Sequence, residues 1–342
     1  MNDRTLLRRS SLSALLSVCT LLGACADDAS DASASDTLRA EAAGGPSSGV
    51  FPPPSAGYTR LVAPVIKDIK PGQDVLRCQY IQAPLDRDID VIDVTGHQSE
   101  GGHHAVTFAS SLKEPVGTSR GCTDTDNLAQ GAFLGGVGGE AGGGSELPDG
   151  VAFRLKKGQS IMLSTHFLNV SDGSYDGHSV VDFKFAEVDP NRPVASLFTN
   201  GNFSFRVGAS NTGEAVAECK LPRQIKFFNF ANHMHDYGTW ARSEIVRADG
   251  TVELIHEDPI WTYEMQFQAV YRNYGVATPL VVNPGDVLRT TCKWKNPTNA
   301  ALNFPREMCI GTGFFVSDGS SSPVCFNGQW MDNPPAGAGG FD

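Results

Sequence analysis

The sequence predicts an all-β protein built as two tandem antiparallel β-sandwich or jelly-roll domains. Three observations carry this expectation. No segment keeps a 3.6-residue apolar period over three or more turns. Short runs rich in Val, Ile, Phe and Thr recur instead, separated by turn chemistry. The 342 residues include 37 glycines and 20 prolines and are only 19% charged, a composition of many strands and turns. At that length, 40% hydrophobic residues supply apolar surface for two cores.

The first element is not part of either domain. Arg4, Arg8 and Arg9 precede a short apolar stretch, residues 11–22, that is too brief to span a bilayer. Leu22-Gly23-Ala24-Cys25 then has the form of a bacterial lipobox, in which the cysteine becomes lipidated. An ordinary secretory signal with a chance cysteine is the competing reading. Residues 1–24 are therefore expected to be a lipoprotein signal peptide with Cys25 as the lipid anchor. Residues 25–57, rich in Ala, Ser, Asp, Gly and Pro, are expected to be a disordered tether. The expected location is a bacterial cell envelope, facing periplasm or exterior and touching membrane through the lipid alone.

Strand-like runs follow at residues 151–155, 161–170, 180–188, 202–207, 225–230 and 308–316. Lys157-Gly158, Ala248-Asp249-Gly250 and Asn283-Pro284-Gly285-Asp286 supply turns between them. Val188-Asp189-Pro190-Asn191-Arg192-Pro193 is the best linker candidate, dividing the body into domains at 58–190 and 191–332, with a flexible tail at 333–342. No repeat is visible between the halves. Residues 131–144 hold eight glycines and are expected to form a long flexible loop without the Lys-Ser/Thr ending of a phosphate-binding loop.

Charge and cysteines narrow the function. A formal net charge of -11 argues against nucleic acid and against an anionic membrane surface as partners. Besides Cys19 and Cys25, six cysteines remain, Cys78, Cys122, Cys219, Cys292, Cys309 and Cys325. In an exported chain an even number reads as disulfides, of which six cysteines allow 15 arrangements. No Cys-x-x-Cys occurs, which speaks against a thiolate zinc site or a dithiol redox centre.

Five of eight histidines fall in three clusters: Gly-Gly-His103-His104, Ser-Thr-His166-Phe, and Asn-His233-Met234-His235-Asp. Residues i and i+2 of a strand share a face, so His233 and His235 can hold one metal while Met234 points away. Adjacent His103 and His104 point oppositely unless a strand end or bulge intervenes, which the two preceding glycines permit. Taken singly, each cluster also fits a surface or hydrogen-bonded histidine. His97, His178 and His256 are expected in loops or on solvated faces. Imidazole clusters without thiolates favour copper or zinc, and a thioether ligand would tip the choice to copper.

The ordered set His103-His104, His166, His233-Met234-His235 and Met308-Cys309 resembles the copper type II, ascorbate-dependent monooxygenases. These are the peptidylglycine α-hydroxylating and dopamine β-monooxygenases, of which this chain would be a bacterial lipoprotein member. The resemblance spans about residues 58–330 and includes Leu147-Pro148-Asp149-Gly150, Asn169, and Val282-Asn283-Pro284-Gly285-Asp286.

The resemblance implies two jelly-roll domains, each contributing one copper to a solvent-filled cleft, so two coppers per chain. It implies that His103, His104 and His166 hold an electron-transfer copper. His233, His235 and Met308 would hold the copper where O2 binds and so form the catalytic set. It also implies disulfides Cys78–Cys122, Cys219–Cys325 and Cys292–Cys309, the first bracing the region around His103-His104. The implied partners are O2, a small-molecule substrate, and ascorbate or another reductant. The peptidylglycine enzymes carry an arginine two residues before His-x-His, an asparagine two after the methionine and a tyrosine four after it. Here those positions hold Ala231, Ile310 and Thr312. The peptide-binding triad is absent, which implies a different and less polar substrate pocket. Phe227, Phe228, Phe230, Phe314 and Phe315 lie near it in sequence, with core packing the expected job of most.

The expected function is therefore a copper-dependent monooxygenase that hydroxylates a C–H bond of a small molecule. The alternatives are a non-catalytic envelope lipoprotein that binds or delivers copper, and a structural jelly roll with incidental histidines.

Overall fold

The structure, a computed structural model, describes residues 51–123, 131–138, 143–144, 147–266, 268–319 and 322–332. The expected signal peptide, Cys25, the tether as far as residue 50 and the tail lie outside the described residues. Phe51, inside the stretch expected as tether, stacks on His97 with ring centroids 6.1 Å apart.

Strands dominate, and the regular helical structure among the described residues is a short 3-10 turn at Tyr263–Gln266. No helix among them is long and apolar enough to cross a membrane. The fold is all-β, assembled from several antiparallel sheets. Residues 59–186 supply two five-stranded sheets. One runs Thr59–Val62, Ser179–Ala186, Ile89–Gln98 and Gly143–Gly144, with Phe153–Leu155 also paired to Ile89–Gln98. The other has the order Ser119–Gly121, Asp74–Gln82, Ser160–Leu168, Gly102–Ser110, Gly131–Gly138. Residues 194–331 supply an eight-stranded and a four-stranded sheet.

Packing explains which strands read clearly in sequence. Thr212–Lys220 alternates buried and exposed along its second half, with one face on the core and the other in water. Ser160–Leu168 is buried on both faces over most of its length, as the centre of its sheet requires. One apolar cluster crosses the two groups of sheets: Phe314 packs edge-on to Phe153 at 5.4 Å and lies 5.8 Å from Phe133. The stretch expected as a linker is tied down. Ala152 donates its N–H to Pro193 at 3.0 Å and accepts from Ala195 at 2.8 Å, while Arg192 Nη1 reaches the buried Asp90 at 2.6 Å.

Three disulfides close, Cys78–Cys122, Cys219–Cys325 and Cys292–Cys309, with Cα separations of 5.7, 5.9 and 5.6 Å. These are the pairs the resemblance implies. Cys78 lies on Asp74–Gln82, opposite Ser164, so it braces the strand next to His166, and Ser160–Leu168 separates it from Gly102–Ser110.

Three sequence expectations are corrected. The glycine-rich run is not a long loop, because Gly131–Gly138 pairs with Gly102–Ser110 through seven residues. Gly135 has φ +147, and a Cβ there would lie 2.9 Å from Val94, so glycine lets this strand close on the facing sheet. Residues 202–207 are not a strand; the strand is Val194–Gly201 just before. Phe203, Phe205 and Val207 alternate inward with period two, but their anchors are rings, Phe203 on Phe326 at 4.4 Å and Phe205 on Trp294 at 4.6 Å. Finally, His97 and His256 sit half-buried in strands and His178 is half-buried between two. His256 Nε2 contacts Asp258 at 3.0 Å.

A repeat unseen in the sequence also emerges. Buried Asn169 donates to Ile69 and Gly173 carbonyls and accepts from Ser171, while buried Asn296 donates to Gly208 and Ala300 carbonyls and accepts from Thr298. Asn-x-Ser-x-Gly and Asn-x-Thr-x-Ala build the same turn in the two halves.

Candidate metal centre

The first histidine cluster is a row across neighbouring strands. His104 stands opposite His166 in the pairing of Gly102–Ser110 with Ser160–Leu168. Gly102 is the next residue in register, opposite Phe167, so His103 is the extra residue of a bulge. The bulge turns the His103 ring onto the face its neighbour occupies. Glycine makes it possible: a Cβ on Gly102 would lie 2.3 Å from the Gln98 Cβ. As a result His103 Nδ1 and His104 Nδ1 lie 2.9 Å apart, and ring nitrogens of all three histidines fall within 4.8 Å of one another.

His103 and His104 favour the neutral, ligating form. Burial, then the charge of His166, pushes His103 down to about 4. The same causes, burial first, hold His104 well below its ordinary value. A neutral imidazole keeps the lone pair that a metal needs.

The second cluster lies at the end of Asn229–His233, which pairs with Ile310–Ser317. The strand stops at His233, yet the alternation continues: Met234 is fully buried in the core, and the His233 and His235 rings stand perpendicular with centroids 5.2 Å apart. Burial, then His235, lowers His233 to about 3. His235 Nδ1 lies 3.1 Å from the Arg306 carbonyl, which directs Nε2 away from the backbone. Its N–H donates to Glu307 Oε2 at 3.0 Å, and its carbonyl accepts from Trp261 Nε1 at 3.0 Å.

Met308 is bracketed against this pair. Residue Ile310 stands opposite His233, and Arg306 and Glu307 bond to His235. Glu307 and the disulfide-bonded Cys309 on either side are fully buried, while Met308 itself is half-buried. Ala231 stands opposite Thr312 on the same strand pair. No charged side chain occupies positions 231, 310 or 312. Phe227, Phe228, Phe230, Phe314 and Phe315 are all buried in the cores. They set the strands rather than line an opening.

The two clusters lie within electrostatic reach of each other. His235 weighs on His103, and both His233 and His235 weigh on His104. Sequence reasoning missed the groups behind the rings: Asp74, whose Oδ1 lies 2.5 Å from His166 Nε2, and Glu307 with Trp261 behind His235. Position next to Met308 was the one signal available for Glu307; Asp74 had none.

The all-β fold carries two clusters of histidines, and the ring nitrogens of His103, His104 and His166 are close enough to hold a metal ion. Residues 210–326, which contain the second cluster and Met308, match the family described as copper type II ascorbate-dependent monooxygenase, C-terminal domain. No curated protein matches the chain. Among solved structures, the chain is similar to the major capsid protein P2 of bacteriophage PM2 at 10% identity and TM-score 0.33, covering 77% of this chain and 99% of that one. It is also similar to the infectious bursal virus T=1 particle protein at 10% identity and TM-score 0.19, covering 77% and 71%. Likenesses at these scores carry no argument.

Proposed function

We propose that the protein is a copper-dependent monooxygenase that hydroxylates a C–H bond of a small, weakly polar molecule, using O2 and an external one-electron reductant such as ascorbate. The observation that carries this reading is the pair of histidine clusters, the first with ring nitrogens within 4.8 Å of one another and the second inside the stretch that matches the copper family. The donor chemistry fits copper. Imidazoles suit several metals, but a thioether beside two imidazoles suits Cu(I) and rarely zinc. His103, His104 and His166 would hold one copper, and His233, His235 and Met308 the other. Copper at each site would supply one electron by passing between Cu(I) and Cu(II), and two such sites meet the two-electron requirement of one O2.

The residues themselves divide the work. The Gly102 bulge aims two adjacent imidazoles at one point. Arg306 and Glu307 hold His235 in one orientation, and Cys309 anchors the flexible thioether beside it. The uncharged side chains of Ala231, Ile310 and Thr312 beside His233 support a substrate without a carboxylate to be gripped. On this reading residues 58–190 and 191–332 are the two copper-binding units. Residues 1–24 and Cys25 then place the protein on an envelope membrane by its lipid.

Metal analysis by mass spectrometry after copper loading and dialysis, with O2 uptake under ascorbate, tests the proposal. About two coppers per chain, reducible by ascorbate and supporting substrate-coupled O2 uptake, is the expected result. One copper or fewer, or zinc instead, would overturn it in favour of a binding or delivery protein.

A further inference from the structure

The first cluster contains a group that the ligand set does not use. Asp74 opens the strand Asp74–Gln82, and in its pairing with Ser160–Leu168 it stands opposite Leu168, while His166 stands opposite Leu76. Asp74 and His166 are thus diagonal neighbours on one face, the arrangement in which cross-strand side chains can touch. They do: His166 Nε2 lies 2.5 Å from Asp74 Oδ1.

We propose that Asp74 is a positioning residue of the first copper site, forming a carboxylate–histidine–copper relay through His166. A carboxylate accepts and does not donate, so the proton of the His166 ring sits on Nε2 and the lone pair is left on Nδ1. Ring nitrogens of His103, His104 and His166 fall within 4.8 Å of one another, with His103 Nδ1 and His104 Nδ1 2.9 Å apart, so Nδ1 is the His166 atom left to join them. A negative charge behind an imidazole raises its basicity as a ligand. It also stabilises a doubly charged ion more than a singly charged one. Asp74 therefore biases this site toward Cu(II). At the second site the buried Glu307 carboxylate bonds the His235 backbone N–H rather than its ring, whose Nδ1 faces the neutral Arg306 carbonyl. The asymmetry gives the two sites different redox preferences: a carboxylate pulls the first toward Cu(II), and the Met308 thioether pulls the second toward Cu(I). This inference rests on the copper reading of the two clusters.

The test compares the wild-type protein with Asp74→Ala and Asp74→Asn, each also carrying His233→Ala so that the first site dominates the titration. Cu(II) and Cu(I) affinities are measured separately by competition with chelators. The expected result is a loss of Cu(II) affinity of about 10–100-fold in Asp74→Ala, the usual effect of removing an outer-shell partner, with Cu(I) affinity changed much less. Asp74→Asn keeps an oxygen acceptor without the charge and should fall between. Equal losses for both ions would reduce Asp74 to a structural role and overturn the proposal, as would wild-type Cu(II) affinity in Asp74→Ala. A first site that binds no copper even with Asp74 present would instead overturn the copper reading itself.

Discussion

Glu307 accepts the indole N–H of Trp294 at 2.9 Å, and both side chains are fully buried. The same carboxylate accepts the backbone N–H of His235 at 3.0 Å and of Tyr237 at 2.7 Å. Burial raises its pKa, while those donors and His235 hold it down. One acidic residue thus staples the turn after His233 to the segment that carries Met308.

Replacing Glu307 by Ala leaves one buried and two partly buried donors without an acceptor. Each such group costs about 1–3 kcal/mol, so the metal-free protein should lose about 3 kcal/mol or more, read from urea unfolding. Copper at His233, His235 and Met308 should weaken while the first site keeps its metal. A variant with wild-type stability and two coppers would refute the staple.

The two sites should empty independently. His233→Ala is expected to reduce copper from about two to about one per chain, with the retained ion at His103, His104 and His166. Met308→Ile should weaken Cu(I) at the second site and leave Cu(II) there much less affected, because only the soft ion gains from a thioether. Chelator competition with each oxidation state reads both effects. Loss of both ions on His233→Ala would contradict a two-site protein.

Much of this architecture was legible in the sequence, for identifiable reasons. Strands that bury one face, or that lie central and largely buried like Ser160–Leu168, announce themselves through Ile, Met, Leu and Phe. The glycine-rich strand Gly131–Gly138 did not, because its role is close backbone approach, for which side-chain pattern is no guide. Residues 202–207 misled for the opposite reason: period-two burial there comes from stacked rings without a hydrogen-bonded ladder. For the site, the imidazoles were readable as clusters. Asp74 was not, since 92 residues separate it from His166 and only strand register brings them together.

Acid should destabilise the metal-free fold through its histidines. His103 is lowered to about 4 and His233 to about 3, from an ordinary value near 6.5, with burial the main cause in each. Below about pH 6.5 the unfolded chain therefore binds protons that the folded chain refuses, and stability falls with pH. The contribution of these groups is complete above about 6.5 and is lost down to about 4 for His103 and about 3 for His233. Urea midpoints at pH 7, 6 and 5 should decrease in that order, and His104→Asn, which removes one such group, should flatten the trend. Copper bound between pH 7 and 5 meets little competition from protons at these rings, so its affinity there should change less than at an exposed histidine site. A pH-independent midpoint would contradict the lowered values.

The join between the two groups of sheets should be the most sensitive place outside the metal centre. Asp90 is fully buried and takes Arg154 Nε at 2.8 Å and Arg192 Nη1 at 2.6 Å, the first from a strand of the earlier sheets and the second from the connecting stretch. Contact with Asp90 raises the Arg154 pKa further, as a guanidinium beside a carboxylate requires. Removing the charge in Asp90→Asn leaves two partly buried guanidinium groups without their counter-ion, which costs about 3–5 kcal/mol where burial is strong. Urea unfolding should show that loss, and limited proteolysis should open the chain near residues 188–193, which wild-type protein protects by holding Arg192 and Pro193 in place. Copper content should stay at the wild-type level in the folded fraction, because neither histidine cluster bonds to Asp90. An unchanged unfolding midpoint together with an intact connecting stretch would mean that the apolar packing of Phe314 on Phe153 and Phe133 holds the join by itself.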